Sequence, residues 1–280
     1  MRVSFCGVRG STPAPGIDFV RYGGHTSCVA LTPAGAELPS LILDAGTGLQ
    51  NASRLLRGGP FTGTLLLTHL HWDHVLGLPF FAAGERLDSS PTVIIPEQGH
   101  GDGAAKVLAR VMAPPFFPIE PTEMRGDWKF KTIEPGDYTI EGFSVIAREV
   151  PHKGGRTFGY RISDERSTVT YIPDHCPTAL GPGEDGFGEY HTAALELARD
   201  ADILIHDAQI FPPELATDAA FGHAVADYGV ELGRRAGAHS VVLFHHRPDR
   251  KDAALDGLGE RLAGDSPKVI VAAVGSAMEL

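Results

Sequence analysis

The chain has 280 residues, 42% of them hydrophobic and 21% charged, proportions that exclude an intrinsically disordered protein. Its net charge of −11 falls mostly in residues 141–280, which carry −9 and argue against long nucleic acid as a partner. A small anionic substrate drawn to bound cations is compatible with that charge, because ions dominate the field at short range.

The chain contains no 18-residue apolar run, and it opens on a strand-like segment rather than a signal-peptide pattern, so no membrane insertion or export is expected. Three cysteines, Cys6, Cys28 and Cys176, follow no disulfide or zinc-ribbon spacing and fit a reducing cytoplasm. Residues 2–6 and 27–32 read as strands, with Cys6 and Cys28 as small core side chains. Between them runs a Gly/Pro-rich loop, residues 7–16, where Arg9, Ser11, Thr12 and the nearby His25 are polar candidates for lining a pocket. Residues 41–46 form a buried strand ending in a turn, followed by a helix to about Leu56. Asp44 closes that strand and either holds a ligand histidine from behind or caps the helix.

After a short apolar strand at 64–67 comes Thr68-His69-Leu70-His71-Trp72-Asp73-His74, three imidazoles and a carboxylate within six residues. Residues 75–81 then read as the opening of an apolar helix, which puts the cluster at a strand-to-helix corner. With period two, His69 and His71 reach one ion, and past the turn Asp73 and His74 can face a second. Imidazole and carboxylate suit two divalent cations, Zn²⁺ first and Mn²⁺ second.

Further strands are expected at 93–95, 143–150, 157–162, 168–172, 202–205, 241–244 and 269–274, and helices at 104–112, 190–198, 223–235 and 252–262. Residues 113–118, Ala-Pro-Pro-Phe-Phe-Pro, stop one helix and are placed to cover the site. Several strands deliver polar residues at their C-terminal ends, as α/β folds do when they build sites. These are His152, then Asp174, which could bridge two ions roughly 3.5–4 Å apart, then Asp207 and His245. His246 is the fallback for His245, His175 a possible donor to substrate, and Cys176 is close enough in sequence to touch the site. Lys153, Arg156 and Arg247 either contact a phosphate or stay solvated. His100, His191 and His239 have no metal context. With no repeat or linker, residues 1–280 read as one domain.

The order His69-x-His71-x-Asp73-His74, His152, Asp174, His245 resembles the metallo-β-lactamase superfamily across nearly the whole chain. That resemblance implies an α/β fold, the four-layer αβ/βα sandwich with two mixed β-sheets and a dinuclear site along their shared edge. It implies His69, His71 and His152 on the first ion, Asp73, His74 and His245 on the second, and Asp174 shared. The stretch 201–209 with Gly222-His223-Ala224 and Leu243-Phe244-His245 is similar to the phosphodiesterase branch that contains tRNase Z, in which an acid paired with a histidine assists catalysis. Asp207 and His223 occupy those positions. Asp207 stands where Glu is usual, Ala224 where Ser is usual, and residues 84–133 are too short and too little basic for a tRNA-clamping arm.

A small or cyclic phosphodiester is therefore the expected substrate, attacked by hydroxide that the ions make available near neutral pH. Asp73 would orient that hydroxide, and His223, held by Asp207, would act as general acid. Hydrolysis of a carboxyl derivative (thioester, lactone or lactam) and tRNA 3′-processing are the alternatives, and a homodimer is compatible with either.

Overall fold

The computed structural model describes residues 1–99, 101–264 and 266–280, so His100 lies outside the described residues. The strands in chain order are Arg2–Gly7 (β1), Cys28–Thr32 (β2), Leu41–Leu43 (β3), Thr62–Leu66 (β4), Ser90–Pro96 (β5), Lys129–Ile133 (β6) and Gly136–Ile140 (β7). They continue with Phe143–Val150 (β8), Thr157–Ser163 (β9), Thr168–Ile172 (β10), Ile203–Asp207 (β11), Ser240–Phe244 (β12), Lys268–Val271 (β13) and Ala277–Glu279 (β14). The helices are Leu49–Leu55 (α1), Trp72–Val75 (α2), Ala104–Ala109 (α3), Thr192–Ala198 (α4), Leu215–Asp218 (α5), Ala226–Ala236 (α6) and Asp252–Leu262 (α7).

Two seven-stranded sheets form, ordered β14-β1-β2-β3-β4-β5-β6 and β13-β12-β11-β10-β9-β8-β7. Both are mixed: β3 through β6 run parallel in the first, and β10 through β13 in the second. Continuous apolar runs such as Leu41-Ile42-Leu43 and Ile203-Leu204-Ile205 are buried at every position, as strands covered on both faces must be. Between the sheets, Phe5, Leu31, Phe158, Tyr171 and Phe244 belong to one shared core. Outer cores join the first sheet to α1 and α3, and the second to α4, α6 and α7. The result is the expected αβ/βα sandwich. Among the described residues no helix is long and apolar enough to cross a membrane.

Some boundaries differ from expectation. The apolar helix expected over 75–81 is absent: α2 is a single turn starting at Trp72, and a separate 3-10 turn occupies Leu78–Phe80. Pro79 at the start of that turn has no N–H to continue a helix, and Gly77 packs where a Cβ would stand 2.1 Å from the Gly46 carbonyl. The next helix stops at Ala109 and the last core strand at Val271, each shorter than predicted. His223 does not open α6, which begins at Ala226. It stands in the loop before it, where Ala226 N–H donates back to Ile210.

Candidate metal centre

In each sheet, strands that run the same way end along one edge, and the polar residues follow their last apolar side chains. Asp44 follows β3, the His69–His74 corner follows β4, His152 follows β8, Asp174 follows β10, and His245 follows β12. In one group, the His69 Nε2 to His71 Nδ1 distance is 3.0 Å and the His71 Nδ1 to His152 Nε2 distance is 3.3 Å. Asp174 Oδ2 lies 3.2 Å from His69 and 3.3 Å from His152. In the other, His74 Nε2 is 3.2 Å from His245 Nε2, and Asp73 Oδ2 is 3.0 Å from His245. Asp174 turns its second oxygen, Oδ1, to that group, 3.0 Å from His245 and 3.5 Å from His74. One carboxylate thus faces two clusters of ring nitrogens, and all seven predicted ligand residues come together.

The far sides of three of the rings are fixed. His74 Nδ1–H donates to Asp44 at 2.8 Å and His152 Nδ1–H to the Gly222 carbonyl at 2.6 Å, while His69 Nδ1 meets the Thr68 hydroxyl at 3.1 Å. Such partners set the tautomer and aim the near nitrogen's lone pair inward. Asp44 also accepts from the Thr68 N–H at 2.7 Å and the Tyr171 hydroxyl at 2.9 Å, so it acts as the anchor of His74 rather than as a helix cap. Asp44, His245 and Ser11 adopt left-handed φ values of 57°, 57° and 64°. Non-glycine residues there are strained, and such strain collects at functional sites. Gly10 clears space for one of them, since a Cβ would stand 2.3 Å from the His245 ring.

The electrostatics follow from burial and the two carboxylates. Burial pushes His69 below its ordinary value and His71 and His152 to about 4, so all three rings are neutral donors. Burial opposes charge on His245 as well, but Asp174 and Asp73 pull it up to about 10, and Asp73, Asp174 and Asp44 raise His74. Burial alone would raise the carboxyl of Asp174, yet His245, His74 and His69 hold it well below the usual carboxylate range. A divalent cation competes with protons for those same lone pairs. The donor set fits one: neutral imidazoles, ionised carboxylates, and a buried Asp174 Oδ1 that accepts no hydrogen bond.

Beside the cluster, His223 Nδ1–H donates to Asp207 Oδ2 at 3.0 Å. Asp207 is held by the N–H groups of His175, Ala224 and Gln209, and a His223 ring nitrogen lies with donors of Asp174 and His245 within 4.8 Å. A cavity of about 380 Å³ opens here, lined by Ser11, Leu70, His71, Trp72, Asp73, Asp174 and His223.

Other sequence candidates fall elsewhere. His175 is fully buried against His206 and Tyr228 and does not line the cavity, because it is the residue after Asp174 and faces the opposite way. His246 binds the Ala272 carbonyl, and Cys176 Sγ lies by Thr178; neither joins the cluster. Arg9 is buried on the carbonyls of Gly23 and Arg250, a structural role, and Thr12 is exposed. Lys153 donates to Ala220, while Arg156 and Arg247 are paired with carboxylates. The Pro/Phe segment walls a neighbouring groove rather than covering the cluster. Sequence reading missed Thr68 and Tyr171. Thr68 adjoins the motif and was within reach of inspection; Tyr171 gives no signal beyond a hydroxyl in an apolar strand.

Fold and site define a metallo-β-lactamase sandwich, and the chain belongs to the beta-lactamase superfamily: the family model described as the beta-lactamase superfamily domain matches residues 40–246. It is a hydrolase of that superfamily. It is similar to a ribonuclease Z of Geobacillus kaustophilus, 25% identical over 221 residues that cover 65% of this chain and 69% of the relative. Among solved structures, the metallo-β-lactamase fold protein YhfI of Bacillus subtilis superimposes with TM-score 0.73 at 16% identity, covering 99% of each chain. A diphosphatase from the PhnP family superimposes with TM-score 0.66 at 17% identity, covering 100% of this chain and 97% of the other.

Proposed function

We propose that the protein is a dinuclear metal-dependent phosphodiesterase acting on a small or cyclic phosphodiester. His69, His71 and His152 would hold one cation, Asp73, His74 and His245 the other, and Asp174 both, with Zn²⁺ preferred and Mn²⁺ second. Bound there, such cations supply Lewis acidity, acidifying water and offsetting charge that builds on phosphoryl oxygens. The chain's own residues do the rest. Asp73 Oδ2, fixed by the Ser11 N–H at 2.6 Å, is placed to orient the attacking water. His223 keeps its Nδ1 proton on Asp207, which leaves Nε2 as the atom that delivers a proton to the departing alkoxide. Asp207 holds the ring's orientation for this step through that Nδ1–H.

The observation that carries the reading is the Asp207–His223 pair beside the metal cluster, since carboxyl-derivative chemistry has no need of a second acid there. Small size is supported by the roughly 380 Å³ cavity and the net charge of −11. It is also supported by residues 84–133, whose β5 and β6 are strands of the first sheet and whose Val107, Met112 and Met124 lie in its outer core. A second reading, cleavage of precursor tRNA, has in its favour the relatives named ribonuclease Z. A metal-defined hydrolysis panel tests both: aryl diesters, cyclic nucleotides, a precursor tRNA, thioesters and a cephalosporin. Turnover of small diesters is expected. Turnover confined to the tRNA would select the second reading, and turnover confined to carboxyl derivatives would overturn both.

A further inference from the structure

The helical turn α2 carries Asp73 and His74 on its buried side, and its first residue, Trp72, is 67% exposed. An indole left in water beside a metal centre is poor use of a large apolar surface unless something covers it. Trp72 lines the site cavity and also a second cavity of about 440 Å³, walled by Leu76, Phe80, Val111, Phe116 and Phe117. Phe116 is 81% exposed and Phe80 54%. The volume lies within the roughly 300–1,000 Å³ of small-molecule sites. Arg110 is the one charged lining residue among those described, and Asp102 already pairs it at 2.8 Å.

From this shared wall we infer that the substrate carries a planar aromatic ester arm, which lies in the groove from Trp72 to Phe116 while its phosphoryl group occupies the metal site. The inference rests on the phosphodiesterase reading and names the substrate class within it. Trp72 lines both this groove and the cavity that holds Asp73, Asp174 and His223, so an arm on phosphorus can pass over its indole from one into the other. Four of the groove's lining residues, Trp72, Phe80, Phe116 and Phe117, present rings, and aromatic groups gain from offset or edge-on contact beyond the area they bury. A phenyl ring and a nucleobase share this chemistry. Trp72 is thus a specificity-determining residue.

The test is calorimetric titration of the metal-loaded full chain with two stable monoanions, phenyl methylphosphonate and methyl methylphosphonate, which differ in one ester arm. The phenyl ester should bind about tenfold more tightly, the worth of one ring stacked on an aromatic side chain. In Trp72→Ala, and separately in Phe116→Ala, which stands away from the metal ligands, the ratio should fall to about twofold or less, and Trp72→Phe should restore most of it. A ratio near one in the wild type, or one unchanged in both alanine variants, overturns the inference. So does a change of molecular mass in the alanine variants with the ratio intact, which would assign the groove to a second copy of the chain. Nucleoside methylphosphonates in the same titration distinguish a base from a simple aryl group. Failure of diester turnover in the hydrolysis panel would sink the phosphodiesterase reading while leaving this ratio measurable, and failure of both phosphonates to bind would overturn both.

Discussion

Two groups of buried histidines meet at neighbouring residues, and they differ in every respect except the imidazole. Around Asp174, the rings of His69, His74, His152 and His245 point a nitrogen at its carboxylate oxygens 3.0–3.5 Å away, and those of His74 and His152 are pinned on their far sides. Around His175, the rings of His206 and Tyr228 pack face and edge. His175 Nδ1 meets His206 Nε2 at 3.0 Å, and His206 Nδ1–H donates to a backbone carbonyl. Burial pushes His175 well below its ordinary value, and His206 and His191 add to the shift. Density of histidine therefore does not make a metal centre. What sets the first group apart is carboxylates that draw the rings together and acceptors that hold the opposite nitrogens of His74 and His152.

The largest effect that tests this contrast is Asp174→Ala. Metal stoichiometry by elemental analysis should fall, and turnover should drop on the order of a thousandfold or more, the scale of several kcal/mol of Lewis-acid stabilisation. His175→Ala, one residue on, should keep its metal. Full stoichiometry in Asp174→Ala would break the comparison.

Next in size is His223→Ala, expected to cost about 10²–10⁴-fold on alkyl diesters and much less on nitrophenyl esters, whose leaving group needs little proton help. Equal losses on both would remove the general-acid role. Asp207→Asn should share the pattern in weaker form. Smaller again is Asp44→Asn, which leaves every ligand in place but weakens the anchor of His74. Metal affinity, measured by competition with a chelator, should fall about 10–100-fold. An unchanged affinity would mean that strand geometry alone positions that ring.

Legibility in the sequence followed the same divide between local and assembled features. His69, His71, Asp73 and His74 are adjacent in the chain, so their convergence needs only a strand that ends in a turn. His152, Asp174 and His245 were readable because each follows an apolar strand, and strands that run the same way in a sheet finish on one edge. What the strand pattern does not show is which face of a strand end looks toward the ions. Hence His175, one residue past Asp174, reads as a possible donor to substrate and lies in the core instead. The helix expected over 75–81 failed for a related reason, since periodicity registered the apolar residues while Gly77 and Pro79 governed the backbone. β6 and β7 went unread because alternation such as Lys-Phe-Lys-Thr-Ile in the strand at the end of the first sheet leaves lysines exposed and mimics a loop. The groove at Trp72 is assembled from α2 and residues 108–117, and nothing in either segment alone announces it.

The smallest effect sharpens the other side of the comparison. His206→Leu removes the acceptor of His175 Nδ1–H and leaves a buried donor unpaired, at about 1–3 kcal/mol of stability. Metal content should be unchanged. Burial lowers the folded-state value of His206, only partly opposed by Asp207, so the native ring stays neutral at pH values where the unfolded chain takes up a proton. The sign is then fixed: this ring's contribution is present above about pH 6.5 and is lost as the pH falls, by up to about 1.4 kcal/mol per pH unit for one proton. The stability gap between wild type and His206→Leu, from urea midpoints at matched metal, should accordingly be widest near pH 8 and narrow toward pH 5. A gap that stays constant would mean the ring is protonated in the folded chain, and a loss of bound metal in the variant would mean that the two histidine groups are coupled rather than merely adjacent.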